Sequence, residues 1–284
     1  MRSSVFNLEE LARAINENRL REYTIRVLRE LGIKPSRRLG QNFTVSIRLV
    51  NELRYHLEIF RCDKALEIGT GLGVITFSIR DLCKEIITVE KDPRLCRYSM
   101  EILSSFKNIR VICGDALRVM NEIDFDCAVG TPPYSITGPM LGRIAASKAL
   151  LGVLVLQRDV VDRILSKPNS KRYGSISALI QTYFKVERGG VYSVKAFYPE
   201  PEVASELIIM RRYRERLQHH DVYERFLKCL FSQRRRRLRN ALETCSRVIE
   251  LRLDRVSEEL LSRRVYTLSP EELLSLFILT TTYN

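Results

Sequence analysis

The chain's most constraining feature is an alternation, from Lys64 onward, of strand-length apolar runs with amphipathic stretches. Apolar runs of this length, separated by helical patterns, are typical of strands buried on both faces of a parallel sheet. The runs interpreted as strands are KALEIGT, EIITVEK, NIRVICGD, FDCAVGT, LLGVLVLQ and, much later, SELIIMRR. The pattern therefore predicts an α/β fold with a mostly parallel sheet and helices on both of its faces.

Other patterns divide the chain into three parts. Residues 1–34 read as a polar helical lead-in, and residues 35–212 contain the predicted sheet. Within this second part, the Gly-Gly of VERGGVYSV predicts a turn between late strands. Residues 213–284 are helical and strongly basic, and Ser269 before Pro270 is a typical helix start. We expect a lead-in, a ligand-binding α/β domain and a small C-terminal RNA-binding domain.

The composition favours a polyanionic partner. Forty-seven Lys and Arg against 34 Asp and Glu give a formal net charge of +13, and nucleic acid outranks a membrane as the partner. No run approaches the roughly 20 apolar residues that span a bilayer, and the start lacks a signal peptide's apolar stretch, so we expect a cytoplasmic protein. The seven cysteines form no C-x-x-C pair, which suggests buried, reduced thiols and neither a disulfide framework nor a metal site.

The first predicted strand runs into a glycine-rich turn, LEIGTGLGVIT, with Gly69, Gly71 and Gly73. Glycines there permit positive φ and let the backbone approach a ligand closely. The next two strands end in Glu90 and Asp115, which can accept hydrogen bonds from ribose hydroxyls and from an adenine amino group. The spacing G-x-G-x-G is common in S-adenosylmethionine enzymes. An alternative interpretation is a nicotinamide oxidoreductase. It is supported by the glycines and Glu90 alone, and such an enzyme would have the spacing G-x-G-x-x-G.

The fourth predicted strand ends in GTPPYSIT, where two prolines follow Thr131. Proline lacks an amide hydrogen and fixes φ, so the chain leaves the sheet as a stiff loop that carries Thr131 and Tyr134. The chemistry that such a loop suits is methylation of the amino group of a base. The amine of adenine is a poor nucleophile because its lone pair is delocalised into the ring. The Thr131 hydroxyl and the Pro132 carbonyl could accept its hydrogens and free the lone pair, while Tyr134 stacks on the base. Taken alone, the loop also fits an ordinary turn.

These segments, taken in order, resemble the KsgA-type ribosomal RNA small-subunit adenine N6,N6-dimethyltransferases, which are related to the Erm methyltransferases. RRLGQNFTVS resembles the family's G-Q-N-F-L-x-D, and GTPPYSIT stands where N-L-P-Y-x-I-(S/T) is usual. Three later segments, VLQRDVVDRILSKPNSKRYGSIS, FYPEPEVASELI and LFSQRRRRLRNAL, are similar to further family motifs. The resemblance implies a Rossmann-like S-adenosylmethionine-dependent methyltransferase sheet with a small C-terminal all-helical domain.

The resemblance also implies an activity, a partner and a set of site residues. The family converts two adjacent adenosines near the 3′ end of small-subunit rRNA to N6,N6-dimethyladenosine and serves in ribosome assembly. The resemblance therefore implies action on the immature small subunit. It also implies a monomer. The residues implied to face the target base are Thr131, Pro132, Tyr134 and Phe197. The residues implied to hold S-adenosylmethionine are Gln41, Asn42, Thr44, Gly69, Gly71, Glu90, Lys91, Asp115, Ala116 and Thr131.

The chain departs from the family pattern at three positions: Thr44 replaces a leucine, Ala204 replaces an aspartate and Thr131 replaces the usual asparagine. A threonine hydroxyl keeps acceptor lone pairs, but it is shorter than an amide and can donate to another group. The sequence therefore leaves three outcomes open for a catalytic protein: dimethylation, slower methylation and single methylation. The alternative is a non-catalytic RNA-binding assembly factor that retains the methyltransferase fold.

Two basic segments, QRRRRLRN and KPNSKRYG, are candidate contacts with RNA. The arginines of the first are too dense to be fully paired within one helix, because like charges four residues apart repel. They form either a solvated face or a grip on rRNA phosphates, and the net charge favours the grip. The candidate RNA-binding residues are Lys171, Arg172, Arg234, Arg235, Arg236 and Arg237.

Overall fold

The computed structural model describes residues 8–281. Its helices are α1 (Leu8–Asn16), α2 (Leu20–Glu30), α3 (Ile47–Phe60), α4 (Val74–Ile79), α5 (Pro93–Ile102), α6 (Ala116–Glu122), α7 (Thr137–Ala146), α8 (Arg158–Ile164), α9 (Ser175–Tyr183), α10 (His220–Ser232), α11 (Leu238–Cys245), α12 (Glu258–Ser262) and α13 (Pro270–Thr280). Its strands are β1 (Phe43–Thr44), β2 (Lys64–Ile68), β3 (Glu85–Glu90), β4 (Ile109–Cys113), β5 (Cys127–Gly130), β6 (Leu151–Gln157), β7 (Phe184–Tyr192), β8 (Phe197–Tyr198) and β9 (Ser205–Arg212).

The described chain divides into two compact units. The first comprises residues 8–158 and 187–211, and the second comprises residues 159–186 and 212–281. This division differs from the boundary predicted near residue 213, because α9 packs against α10 and α13 rather than continuing the α/β pattern. The predicted lead-in groups with the first unit.

The main sheet has the strand order β4-β3-β2-β5-β6-β9-β7. Strands β2 to β6 pair in parallel, and β9 runs antiparallel to β6. All six runs predicted as strands are strands of this sheet, so the predicted mostly parallel sheet is confirmed. In a parallel arrangement the carboxyl ends of β2, β3, β4 and β5 share one edge, which brings their terminal residues together.

Side chains cover both faces of this sheet. Ala65 of β2 and Val129 of β5 belong to a core cluster with Leu49 and Leu53 of α3. Leu66, which follows Ala65 and so points to the opposite face, is also fully buried. Burial on both faces explains why the strands read as continuous apolar runs rather than as alternating ones, and it confirms the prediction of helices on both sides.

The turn predicted at Gly189 and Gly190 is wrong, because strand β7 runs through both glycines. A Cβ at Gly189 would lie 2.5 Å from Cδ2 of Leu207, and the amide of Gly190 donates to Oε1 of Glu52 at 2.6 Å. The glycines therefore allow close approach of neighbouring groups within an extended strand, which is the other common reason for glycine in a sheet.

The lead-in helices α1 and α2 form part of the first unit's core. Leu11 of α1 and Leu20 of α2 are fully buried in a cluster that also contains Leu95 of α5. The hydroxyl groups of Tyr23 and Tyr98 lie 2.5 Å apart and join α2 to α5 through a buried hydrogen bond. These helices are thus built into the α/β unit and are not an appended arm.

The second unit is a helical assembly centred on aromatic side chains. The Tyr223 and Phe277 rings have centroids 5.1 Å apart, and the Tyr223 hydroxyl lies 2.9 Å from Oγ1 of Thr182. The predicted start of the last helix is confirmed: Oγ of Ser269 accepts from the amide of Glu272, whose carboxylate accepts in return from the amide of Ser269. This reciprocal pair is a capping box.

Six cysteines form disulfides, so the expectation of reduced thiols is wrong for them. The bonds join Cys62 to Cys127, Cys96 to Cys113 and Cys229 to Cys245, while buried Cys83 is a free thiol. The pairing depends on tertiary packing, since α5 lies against β4 and so brings Cys96 to Cys113. The spacing of the cysteines in the sequence does not indicate that contact.

Among residues 8–281, no helix combines the length and apolarity needed to cross a bilayer.

Candidate active site

A cavity of the first unit lies at the carboxyl ends of β2, β3, β4 and β5. All ten residues predicted to hold S-adenosylmethionine line it: Gln41, Asn42, Thr44, Gly69, Gly71, Glu90, Lys91, Asp115, Ala116 and Thr131. Of the residues predicted to face the target base, only Thr131 is part of this lining. Thr131, which was predicted for both groups, lines the cavity, whereas Pro132, Tyr134 and Phe197 do not.

The glycine turn after β2 supplies a backbone wall of the cavity. Gly69 and Gly71 have φ values of 87° and 55°, a left-handed region that favours glycine. A Cβ at Gly71 would lie 3.2 Å from Cδ1 of Phe43, and Oγ of Ser99 donates to the Gly71 carbonyl at 2.9 Å. A side chain at residue 71 would therefore disturb the turn both sterically and conformationally.

Glu90, at the end of β3, is fixed by two amides and is almost fully buried. Its Oε2 accepts from the Gly71 amide at 2.8 Å and its Oε1 accepts from the Asp92 amide at 2.8 Å. Each carboxylate oxygen keeps further acceptor capacity, so the pair can still accept from two hydroxyls of a ribose. Burial raises the pKa of Glu90, and the hydrogen bonds from the Asp92 and Gly71 amides oppose that rise.

Asp115, after β4, is held in a similar way. Its Oδ1 accepts from the Leu117 amide at 2.9 Å and so caps α6, and Nζ of Lys91 donates to its Oδ2 at 2.8 Å. The hydrogen bond from Lys91 lowers the pKa of Asp115, so the carboxylate is ionised at neutral pH. An ionised carboxylate at this edge is suited to accept from an amino group such as that of adenine.

The segment before α3 forms the opposite wall. Nε2 of Gln41 donates to Oδ2 of Asp92 at 3.1 Å, and β1 pairs with β8 so that Thr44 lies opposite Phe197. Oγ1 of Thr44 is buried and has no hydrogen-bond partner among the described residues. A buried hydroxyl without a partner is unusual, and a polar ligand in the cavity would supply one.

Glu67, within β2, also lines the cavity, although we assigned it no role from the sequence. Its Oε2 accepts from Oγ1 of Thr88 at 2.9 Å and from Thr76, whereas its Oε1 is buried without a partner among residues 8–281. Burial raises the pKa of Glu67 to about 8, so the side chain is largely protonated at neutral pH. An acid inside an otherwise apolar strand was the signal that could have identified it.

The loop after β5 carries the residues predicted to act on the base. Thr131 lines the cavity, Pro132 is buried, and the Tyr134 hydroxyl lies 2.6 Å from Oγ of Ser205. Ser205 is fully buried in β9, and burial raises the pKa of Tyr134. Ser205 belongs to the segment FYPEPEVASELI, yet its contact with Tyr134 follows only from the fold.

The ring of Phe197 is not brought to the cavity. It is 2% exposed and belongs to the core cluster that contains Leu49 and Leu207. The role predicted for Phe197 beside a target base therefore remains a prediction from the resemblance.

Taken together, the lining suits S-adenosylmethionine. Glu90 can accept from ribose hydroxyls and Asp115 from an adenine amino group, while the unpartnered hydroxyl oxygen of Thr44 offers a further acceptor to a polar group. Thr131 lines the same cavity, which makes its hydroxyl a candidate acceptor for the hydrogens of a target amine.

The predicted RNA-binding residues lie in the second unit. Nη1 of Arg234 donates to the Lys171 carbonyl at 2.7 Å, which brings the two basic segments together. Arg172 pairs with Asp162 at 2.5 Å, whereas the side chains of Arg235, Arg236 and Arg237 are exposed.

Comparison with known proteins gives one consistent result. The family model described as "Ribosomal RNA adenine dimethylase" matches residues 33–281. A protein of Thermotoga maritima named "Ribosomal RNA small subunit methyltransferase A" is 30% identical over 250 residues, which covers 88% of this chain and 87% of that protein. One from Chlorobium limicola with the same name is 32% identical over 255 residues, covering 87% and 93%.

The fold is similar to that of a dimethyladenosine transferase from Plasmodium falciparum, with a TM-score of 0.72 and 20% identity over 83% of this chain and 96% of that one. This likeness confirms the Rossmann-like methyltransferase fold.

Proposed function

This chain belongs to the ribosomal RNA adenine dimethylase family, and from that premise we propose that it transfers methyl groups from S-adenosylmethionine to N6 of two adjacent adenosines near the 3′ end of small-subunit rRNA. The observation that carries the proposal is the position of Thr131, which lines the same cavity as every other residue predicted to hold the cofactor.

S-adenosylmethionine, when bound, supplies a methyl group on a positively charged sulfur. The residues of the chain position the reactants for its transfer. Glu90 and Asp115 would hold the nucleoside part through their free acceptor positions, and the backbone of the glycine turn would form a wall of its site. The Thr131 hydroxyl and the Pro132 carbonyl accept hydrogens of the target amine, which localises the nitrogen lone pair and directs it toward the methyl group. The Tyr134 ring stacks on the base.

The threonine at position 131 is compatible with this reaction. A hydroxyl oxygen has acceptor lone pairs, as the usual asparagine's amide oxygen does, although it lies closer to the backbone. The family match extends across both units and into the basic segments. We therefore favour a catalytic protein over an RNA-binding assembly factor without activity, and we propose that both methyl groups are added.

The same premise extends to partners and place of action. We propose that the substrate is the immature small ribosomal subunit, that the protein acts as a monomer in the cytoplasm, and that the basic second unit contacts rRNA.

The test is transfer of a labelled methyl group from S-adenosylmethionine to immature small subunits. We expect label in adenosine with the natural protein, a loss of about 100-fold or more with Thr131→Ala, and retained activity with Thr131→Asn, which restores the family residue. Calorimetry should show that all three proteins bind S-adenosylmethionine. Bound cofactor without label in adenosine would overturn the catalytic proposal and support the assembly factor.

A further inference from the structure

A second cavity, in the second unit, is formed by three short segments that are distant in sequence. We call it the basic cavity, and its volume is about 320 Å³. The residues that line it are Asn169, Ser170, Lys171, Arg234, Arg235, Arg264 and Tyr266. Four of these seven carry a positive charge and none carries a negative one.

Backbone hydrogen bonds hold the walls of the basic cavity in place. The Asn169 amide donates to the Tyr266 carbonyl at 2.9 Å, and the Tyr266 amide donates to the Arg234 carbonyl at 3.1 Å. The guanidinium of Arg264 donates to the Arg235 carbonyl. The backbone segments that carry the cationic side chains are thus joined to one another, which lowers the cost of ordering the site when a ligand binds.

Arg234 belongs to this frame rather than to the exposed cations. Its Nη1 and Nη2 donate to the carbonyls of Lys171 and Ser170 at 2.7 and 2.9 Å, and its guanidinium carbon lies 5.6 Å from the centre of the Tyr266 ring. These partners are neutral, so the positive charge of Arg234 remains uncompensated. The side chain therefore adds to the positive potential of the cavity while its Nη1 and Nη2 are engaged, and its buried Nε has no partner among the described residues.

The cations of the basic cavity lack acidic partners. Within residues 8–281, no carboxylate lies within 4.0 Å of the charged nitrogens of Lys171, Arg234, Arg235 or Arg264. Neighbouring arginines do have such partners: Arg263 pairs with Glu272. Like charges held close together repel, and an anion among them removes that repulsion.

We propose that the basic cavity binds one phosphate group of the rRNA backbone, through the side chains of Lys171, Arg235 and Arg264. This inference rests on the proposed function, because it takes RNA as the source of the phosphate. It assigns different roles within the arginine run: Arg234 builds the site, Arg235 binds the phosphate, and Arg236, which does not line the cavity, contributes only general charge.

The decisive comparison is between Arg235→Gln and Arg236→Gln. Both variants remove one charge from adjacent exposed residues of the same run, so diffuse electrostatic attraction predicts equal effects on RNA binding. Binding to small-subunit rRNA is measured by fluorescence anisotropy at several salt concentrations. We expect Arg235→Gln to weaken binding about tenfold and to lower the salt slope by about one, and Arg236→Gln to weaken it less than about twofold. Equal effects would overturn the inference.

Two further arms separate the remaining explanations. Lys171→Gln, a second exposed cation of the cavity, should behave like Arg235→Gln, and the melting temperatures of all variants should match that of the natural protein. Inorganic phosphate should displace RNA from the natural protein more strongly than chloride of equal ionic strength, but not from Arg235→Gln. If phosphate binds the cavity while Arg235→Gln and Arg236→Gln bind RNA equally well, the site takes free phosphate and the RNA assignment is wrong.

The failure of this inference can be distinguished from failure of the proposed function. Methyl transfer to adenosine by the natural protein tests the function. The comparison of Arg235→Gln with Arg236→Gln tests the cavity, and its result does not depend on whether any methyl group is transferred.

Discussion

At the scale of single residues, the acids of the candidate active site serve the fold and the ligand together. Glu90 accepts from two amides of neighbouring loops, and Asp115 caps α6. Each of these bonds fixes a carboxylate at a strand end and leaves acceptor capacity for a ligand. The site is therefore organised before the cofactor arrives, which limits the loss of side-chain entropy on binding.

The contact between Tyr134 and Ser205 gives a prediction about catalysis. Ser205→Ala removes the partner of the Tyr134 hydroxyl, so the ring that is proposed to stack on the target base is held less firmly. We expect kcat to fall by up to about tenfold, the value of one net hydrogen bond. The KM for S-adenosylmethionine should be unchanged, because Ser205 does not line the cofactor cavity. Steady-state kinetics with separate variation of cofactor and RNA measures both quantities.

The control for this prediction is Tyr134→Phe, which removes the same hydrogen bond from the other end. The double variant should be no slower than Tyr134→Phe alone, because residues that act through one contact are not additive. Independent, multiplicative losses in the double variant would show that Ser205 does not act through Tyr134.

Glu67 predicts how stability depends on pH. Its pKa is raised by burial from 4.5 to about 8, so the folded protein keeps a proton that the unfolded chain releases above its ordinary pKa. The stabilisation is fully present below about pH 4.5 and is lost as pH rises through about 8. Glu67→Gln cannot ionise. Urea unfolding at pH 5.5 and pH 8 should therefore show the natural protein losing more stability than Glu67→Gln over this interval, and parallel losses would contradict the assignment.

At the scale of helices and strands, the sequence predicted those elements whose burial is determined locally. Runs such as KALEIGT become strands because both faces are covered, and the glycine turn is recognisable because Gly71 needs positive φ. Gly189 and Gly190 were misread because the same residue type serves turns and close packing, and only the position of Leu207 distinguishes them. The pairing of β1 with β8, which joins residues more than 150 apart in sequence, has no local signal.

The sequence also predicted no packing partner for the lead-in helices, because the residues that they contact, such as Leu95 of α5, lie far along the chain. Because Leu11 of α1 is fully buried, Leu11→Ala should lower the free energy of unfolding by about 2–5 kcal/mol. Arg13→Ala, at an exposed position of the same helix, should change it by less than about 0.5 kcal/mol. Urea denaturation of both variants measures the difference. Equal, small effects would mean that α1 does not contribute to the core.

At the scale of the whole molecule, the disulfides are the feature furthest from what the sequence indicated. The bonds of Cys96 with Cys113 and of Cys229 with Cys245 close short loops, with sequence separations of 17 and 16. Closing a loop of this length lowers the entropy of the unfolded chain, which stabilises the folded protein by about 3 kcal/mol. The three bonds together should therefore raise the melting temperature of the protein.

This prediction is checked by counting thiols and by melting. Under denaturing, non-reducing conditions we expect one reactive thiol, that of Cys83, and seven after reduction. Reduced protein should melt at a lower temperature than oxidised protein in calorimetry at the same pH. Seven reactive thiols before reduction would show that the cysteines are unpaired in solution.

The charge of +13 likewise belongs to the whole molecule, and it predicted a polyanionic partner without identifying which residues contact it. The structure distinguishes basic residues with acidic partners, such as Arg172 and Arg263, from those of the basic cavity. The density of basic residues along the sequence could not make this distinction. The acids that pair with Arg172 and Arg263 lie about ten residues away and are positioned by the fold.

The central claim is that the hydroxyl of Thr131, at the edge of a cofactor cavity, supports methylation of adenine in small-subunit rRNA. Mass spectrometry of nucleosides measures it directly, after immature small subunits have been incubated with the protein and S-adenosylmethionine. We predict N6,N6-dimethyladenosine with the natural protein and unmodified adenosine with Thr131→Ala. Unmodified adenosine with a natural protein that binds both S-adenosylmethionine and the subunit would contradict the account.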